Sequence, residues 1–402
     1  MVAAAEATRS APSIPRGVWV LGFVSLLMDV SSELIHSLLP VFMVTGLGAS
    51  AFVVGIVEGI AEATALIVKV FSGTLSDYLG RRKALAVFGY ALGAASKPLF
   101  AVAGSVGWVL TARFMDRIGK GVRGAPRDAL IADLTAPEIR GAAYGLRQSL
   151  DTVGAFIGPL LAIGLMLLFA GDFRAVFWFA VIPGVLSVVL LVVGVHEAER
   201  AQGAGDIRPP FHLAMVKTLP AAYWWIVAAG GVFTLARFSE AFLLLRAQQQ
   251  GLPDTYAPAV LVLMNVVFAL SAYPMGRLAD RMNPLVLLAA GLIVLIAADV
   301  ALALSASLAV TAIGVALWGL HMGMTQGVLA ALVAASAPVE LRGTAFGFFN
   351  LVSGVALLVA SALAGLLWDV YGADVTFFAG AAFAVAAFVL FVGARSPGVD
   401  RA

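Results

Sequence analysis

The chain of 402 residues has no cysteine, which excludes disulfides, thiolate metal sites and cysteine nucleophiles. Charge is also scarce. Asp, Glu, Lys and Arg make up 12% of the residues against 61% hydrophobic, so a water-soluble globular chain of this length is excluded. There are four histidines and no His/Asp/Glu grouping at ligand spacing, so His36 and His321 read as isolated packed polar side chains and no metal site is expected. No nucleophile–base arrangement gives an enzyme reading a starting point. Gly119-Lys120-Gly121 lacks the strand-turn-helix setting of a phosphate loop, and Arg81-Arg82-Lys83 is too short and too close to the bilayer to suggest nucleic-acid binding. No cofactor is expected.

What is present is apolar sequence in long runs. Spans are predicted over 18–46, 52–76, 84–104, 107–134, 141–169, 175–195, 221–247, 256–279, 284–304, 308–336, 342–369 and 375–394. Most reach the roughly 20 residues that a helix needs to cross a ~30 Å hydrocarbon layer. Barrel strands of about ten residues with alternating polarity are not what these runs show. The expected fold is an all-α membrane protein with twelve transmembrane helices in two pseudo-symmetric six-helix bundles. Its divisions are an N-terminal tail (1–16), a first bundle (17–195), a linker (196–220), a second bundle (221–395) and a C-terminal tail (396–402).

Basic residues set the expected orientation. Arg9, Arg16, Arg81, Arg82, Lys83, Arg140, Arg277, Arg281, Arg342 and others collect on one side, against Arg174 and Arg246 on the other. Both termini and the linker are therefore expected in the cytoplasm.

Short charged segments repeat at an offset of about two hundred residues. Gly73-Thr74-Leu75-Ser76-Asp77-Tyr78-Leu79-Gly80-Arg81-Arg82 is echoed by Gly276-Arg277-Leu278-Ala279-Asp280-Arg281. Pro137-Glu138-Ile139-Arg140-Gly141 is echoed by Val339-Glu340-Leu341-Arg342-Gly343. A duplicated membrane unit with a central interface is how many secondary transporters are built.

These residues resemble the major facilitator superfamily over essentially the whole chain. Its loop between helices 2 and 3, Gly-x-Leu-Ala/Ser-Asp-Arg/Lys-x-Gly-Arg/Lys-Arg/Lys, is matched by Gly73, Leu75, Ser76, Asp77, Gly80, Arg81 and Arg82, with Tyr78 where a base is usual. The second copy keeps Gly276, Leu278, Asp280 and Arg281, and Asn283-Pro284 replaces its basic end. The resemblance implies a cytoplasmic gate built on these loops and on Glu138, Arg140, Glu340 and Arg342, with Arg81 pairing to Asp128 or Asp133. Gly145, Gly154 and Gly158-Pro159 match most of the superfamily's antiporter motif in helix 5, although Ala162 and Gly164 stand where its last glycine pair belongs. That pattern is typical of the proton-antiporting, drug-exporter-like branch.

Ionisable residues at bilayer depth mark function, because each costs about 2.5–3.5 kcal/mol at a helix centre. Arg113, Arg117, Lys120, Arg123 and Arg127 recur at three- and four-residue steps on one face of span 4. That face must look into protein or a wet cavity. Span 1 carries Asp29 and Glu33 four apart. Counting inward from the span ends puts Arg117 level with Asp29 and Arg113 level with Glu33. Span 5 adds Arg147 and Asp151, span 2 adds Glu58, Glu62 and Lys69, and span 3 adds Lys97. The second half offers Arg237, Glu240, Asp299, His321 and Gln326. Aligning the halves puts Gly319, Met322, Thr325 and Leu329 opposite Arg117, Lys120, Arg123 and Arg127.

Three readings of these charges stay open. They form a proton-coupling network of carboxylates tuned by arginine, a receptor for an anionic solute, or structural bridges between helices. The leading expectation is a secondary active transporter exporting a small organic solute by alternating access, energised by the proton gradient. Asp29, Glu33 and Asp151 would be its protonation sites, Arg113, Arg117 and Arg147 would tune them, and Arg237, Glu240, His321 and Gln326 would complete the cavity. The alternatives are an importer or exchanger of an organic anion, carboxylate or phosphorylated metabolite, and a non-transporting sensor or scaffold. The expected setting is a bacterial cytoplasmic (inner) membrane, with the lipid bilayer, solute and protons as partners, no nucleic acid, and a functional monomer.

Overall fold

The computed structural model describes residues 14–79, 81–196, 219–279, 281–338 and 341–393. The linker at 197–218, most of both tails, Gly80, Asp280 and Glu340 lie outside the described residues, as does the side chain of Asp77. Among the described residues there is no strand. The spans are α1 (Arg16–His36), α2 (Ala51–Leu79), α3 (Arg82–Ala101), α4 (Val106–Leu134), α5 (Arg140–Leu168), α6 (Phe173–Gly194), α7 (in two pieces, Ala221–Leu235 and Ala241–Gln249), α8 (Pro258–Ala279), α9 (Pro284–Ala303), α10 (Leu308–Ser336), α11 (Arg342–Tyr371) and α12 (Ala373–Gly393).

Ten of the helical segments are long and apolar enough to cross a membrane on their own composition. The other two spans are α4, which is long enough but too charged, and α7, which is interrupted. Peripheral faces confirm the solvent. Val185, Val189 and Val193 of α6 and Val385, Val389 and Val392 of α12 recur at helical steps and are exposed, as side chains bathed in lipid should be.

The helices sort into two bundles. In the first, α1 packs on α5 and α6, and α4 lies between α2 and α3. In the second, α10 lies between α8 and α9, while α12 covers α9. The bundles meet along α2–α11 and α5–α8.

The first of these seams is tight at the end remote from the signature loops. A Cβ on Gly55 would stand 2.1 Å from the Ser361 carbonyl oxygen, and one on Gly365 would stand 2.5 Å from that of Ala51. Asp369 of α11 also caps α2, accepting from the backbone N–H groups of Ala51 and Phe52 at 3.0 and 2.9 Å. At the signature-loop end, by contrast, added Cβ atoms on Gly141, Gly145, Gly276 and Gly343 would meet nothing within 4 Å. The cleft between the bundles is closed at one end and opens toward the signature loops.

Two spans expected to be continuous are broken. The helix of α1 stops at His36, and a short helix (Leu39–Val41) and a π turn (Phe42–Gly46) follow. Pro40 is the cause, since it cannot donate into the preceding turn. α7 breaks between Leu235 and Ala241 with no proline to force it. Instead, side-chain hydroxyls take up the freed donors: Ser239 N–H donates to Ser361 Oγ at 3.1 Å, and Ala241 N–H to Ser239 Oγ at 3.2 Å. In a bilayer such partners are what make unwound backbone tolerable. The alignment that sets Arg140 opposite Arg342 also sets Ser37 opposite Ser239, so the breaks in α1 and α7 are equivalent features of the duplicated unit.

Candidate functional site

The basic stripe of α4 turns inward and most of it is neutralised by acids. Arg113 is 2% exposed and donates to Glu58 of α2 at 2.7 Å. One turn further, Arg117 Nη1 lies 3.2 Å from Glu62 Oε1. Helices α2 and α4 run in the same direction, so acids four apart on one meet bases four apart on the other. On the opposite flank, Lys97 of α3 donates to Asp116 at 2.7 Å and to Ser32 of α1 at 3.0 Å. Nearer the signature loops, Arg123 sits over the Tyr90 ring and 4.0 Å from Asp29, while Arg127 donates to Ser25 at 2.9 Å. Arg147 and Asp151 of α5 form a close ion pair, and Arg147 Nε also lies 3.8 Å from Asp128.

This pairing differs from the levels read off the span ends, which gave Arg113 to Glu33 and Arg117 to Asp29. The stripe does face inward, but Asp29 lies nearest Arg123, six residues beyond Arg117, and the acids of Arg113 and Arg117 come from α2, a neighbour that packs directly against α4. The matched four-residue spacings of Glu58/Glu62 and Arg113/Arg117 carried that signal.

Two adjoining chambers fill the cleft, of about 440 and about 690 Å³, and they share Glu33, Glu62, Lys120 and Asn265. That is the usual range for small-molecule sites. The inner chamber sets Glu33, Arg117 and Lys120 of the first bundle against Arg237, Glu240 and Trp318 of the second. The outer one carries Asp29, Lys69, Arg127 and Asp151 and lies nearer the signature loops. His36, set aside in the sequence as a packed side chain, is a wall residue of the inner chamber. Its Nδ1 is 3.4 Å from Glu33 Oε2 and its Nε2 is 3.5 Å from Glu58 Oε2, so one imidazole bridges two carboxylates.

Glycines of α5 place the acids of α1. A Cβ on Gly154 would lie 2.6 Å from the Leu26 carbonyl oxygen and 3.1 Å from Asp29 Cβ, and one on Gly158 would lie 2.7 Å from Glu33 Cβ. The two helices touch backbone to backbone there, and Asp29 and Glu33 are held over the cleft by that contact.

Some expected residues lie elsewhere. His321 is fully buried between α9 and α10, with Nδ1 2.8 Å from the Gly291 carbonyl oxygen and its ring edge-on to Phe233. Gln326 is exposed and lines neither chamber. Among the described residues, Lys120 and Lys69 make no ion pair. Neither does Glu240, nor Arg237, whose Nε is buried without an acceptor and whose guanidinium stacks on Phe233.

One family model, that of the Major Facilitator Superfamily, matches residues 21–360 and again 247–401. The chain belongs to that superfamily. Its members are transporters and not enzymes, so this is a multi-pass membrane protein built to move a small solute through a bilayer. An uncharacterised superfamily-type transporter of Methanocaldococcus jannaschii is 29% identical over 387 residues, covering 94% of this chain and 95% of its own length. The multidrug resistance protein MdtH of Edwardsiella ictaluri is 32% identical over 163 residues, 40% of this chain and 39% of its own. Among solved structures, a POT family transporter in complex with 5-aminolevulinic acid superposes with a TM-score of 0.80 at 12% identity, over 94% of this chain and 96% of that one, which speaks for the fold.

Around the superfamily loops, Arg82 rather than Arg81 reaches Asp133, at 2.5 Å, and also donates to the Ala129 carbonyl oxygen at 3.1 Å. Arg81 is exposed at the head of α3. Asp128 is instead shared by Arg127 and Arg147. Arg140 and Arg342 do equivalent work in the two halves. Each folds back onto a carbonyl at the end of the preceding span, Thr135 at 3.4 Å and Ala334 at 3.1 Å. Glu138 and Arg281 are exposed, and Gly73 approaches Ala125 of α4.

Proposed function

We propose that this transporter couples movement of a small organic solute to movement of protons, in the direction of export. The carboxylate–imidazole–carboxylate chain of Glu33, His36 and Glu58 carries this reading. A histidine with a carboxylate at each nitrogen can take a proton on one side and release one on the other. The separations of 3.4 and 3.5 Å are loose, as proton-transfer contacts often are before ligand tightens them. Protonating Glu58 would release Arg113, so the proton state bears on the tie between α2 and α4 next to the solute chamber. Export is supported by Gly154 and Gly158, which bring the antiporter-like helix against both acids of α1, and by the likeness to a multidrug resistance protein. The basic end is assigned to the cytoplasm of a bacterial inner membrane by its excess of Lys and Arg, which makes the described state open inward. The protein is taken to work as a monomer.

The reading in which Arg113 and Arg117 form an anion receptor is weakened, because both already hold carboxylates. An anion reading survives only through the unpaired Lys120 and Arg237. The test is flux in proteoliposomes under an imposed pH gradient, using a solute found by comparing metabolites of cells with and without the protein. Gradient-driven flux that collapses in Asp29→Asn and Glu33→Gln is expected. Flux indifferent to the gradient and intact in both variants would end the coupling proposal.

A further inference from the structure

The charges of the inner chamber do not all cancel among themselves, and the remainder describes its occupant. Glu58 is held by Arg113, Glu62 by Arg117, and Glu33 is approached by His36. Among the described residues, three groups lining the chamber are left without an ion pair: Lys120 on the first bundle, and Arg237 and Glu240 on the second. Arg237 and Glu240 both lie in the unwound segment of α7 between Leu235 and Ala241, and they form no ion pair with each other. Two amides, Asn265 and Asn350, line the same space, with no side-chain hydrogen bond among the described residues. The apolar share of the wall combines the aromatic rings of Phe233, Phe238, Trp318 and Phe349 with leucines.

We infer that the inner chamber receives a small zwitterionic solute with an apolar body. Its anionic group would lie between Lys120 and Arg237, its ammonium at Glu240, and its body against the aromatic wall. A simple anion would satisfy the two bases but lie in a field of acids, with Glu240 still unmatched. A simple cation would satisfy Glu240 and leave the two bases unmatched. Only a ligand carrying both signs matches every orphaned group, and unmatched polar groups are what a site discriminates against most strongly. Such a ligand would also tie Lys120 of one bundle to Arg237 of the other, so that its binding energy draws the two halves together at the open end.

This inference rests on the chamber being the solute site of the proposed transporter, and not on proton coupling. The experiment is therefore an equilibrium binding measurement with no gradient, on the full chain in lipid nanodiscs. Two matched probe sets are titrated: 6-aminohexanoate, hexylamine and hexanoate, and tryptophan, tryptamine and indole-3-propionate. In at least one set the zwitterion should bind ten-fold or more tightly than both single-charge analogues. Glu240→Gln should abolish the preference over the acid, and Arg237→Gln the preference over the amine. If either variant fails to fold, the wild-type ranking alone decides. An acid or an amine that binds as tightly as its zwitterion in both sets, or no binding by any probe, overturns the inference. Proton-independent flux with the zwitterion ranking intact would end only the coupling proposal.

Discussion

The middle of the first bundle is stitched by charge, and the middle of the second, on the same backbone plan, is not. Where α2 and α4 carry Glu58, Glu62, Arg113 and Arg117, the aligned positions of α8 and α10 are Val260, Met264, Val315 and Gly319. The buried pair of Lys97 and Asp116 faces Asp299 and Trp318 in the copy. Asp299 is fully buried against Gly380, with no hydrogen-bond partner at either oxygen. The second bundle's described ion pair, Arg246 with Asp374 at 2.6 Å, joins the end of α7 to the start of α12. The level of the stripe is filled instead by an aromatic cluster, in which Phe238 meets Phe242, Trp318 and Phe377, and Trp368 closes onto Phe242 and Phe377. The second half folds without the charges, so the fold does not require them. A buried ion pair is weak support for stability in any case, since desolvation consumes most of its attraction. Function is the better account of why the first half keeps them.

The sharpest way to break this comparison is to remove one charge from each half. Glu58→Gln strands Arg113 inside the bundle and should cost about 3–5 kcal/mol, the usual penalty for half of a buried pair. Thermal unfolding in detergent should show it as loss of monodisperse protein or a large drop in Tm, and Glu58→Gln combined with Arg113→Gln should recover most of the loss. Asp299→Asn, which breaks no bond, should leave Tm nearly unchanged. A large loss for Asp299→Asn, or none for Glu58→Gln, would mean that the halves are held together alike.

The next contrast lies within α5. Gly158→Val pushes a side chain into Glu33 Cβ and the Val30 carbonyl, so overpacking of about 1–3 kcal/mol and at least a ten-fold loss of transport are expected. Gly145→Ala meets open space in this state and should change transport less than two-fold in the same vesicle assay. Among the variants that remove a contact, the smallest effect is expected for Arg123→Gln. It loses the stacking on Tyr90 and the distant contact with Asp29, which should lower stability by about 1 kcal/mol, read as a small Tm shift.

Much of this was legible in the sequence. Span length, loop charge and the repeated Glu-x-Arg-Gly segments suffice for twelve helices in two halves, because lipid permits little else for such runs. The inward turn of the α4 stripe followed from the cost of arginine facing lipid. The partners did not follow, because a span's sequence states height and face but not which neighbour lies there, and α2 rather than α1 meets Arg113 and Arg117. The role of His36 was hidden for the same reason: its carboxylates come from α1 and α2 together. The unwound turn of α7 left no proline signature, since a serine hydroxyl from α11 supports it.

The central claim is that coupling resides in the first bundle, and solute-induced proton movement tests it most directly. Proteoliposomes enclosing a pH-sensitive dye are given the transported solute without an imposed gradient. Wild type and Asp299→Asn should both move protons in proportion to solute, and Glu33→Gln should move solute, if at all, without protons. Proton movement retained in Glu33→Gln, or lost in Asp299→Asn, would contradict the account.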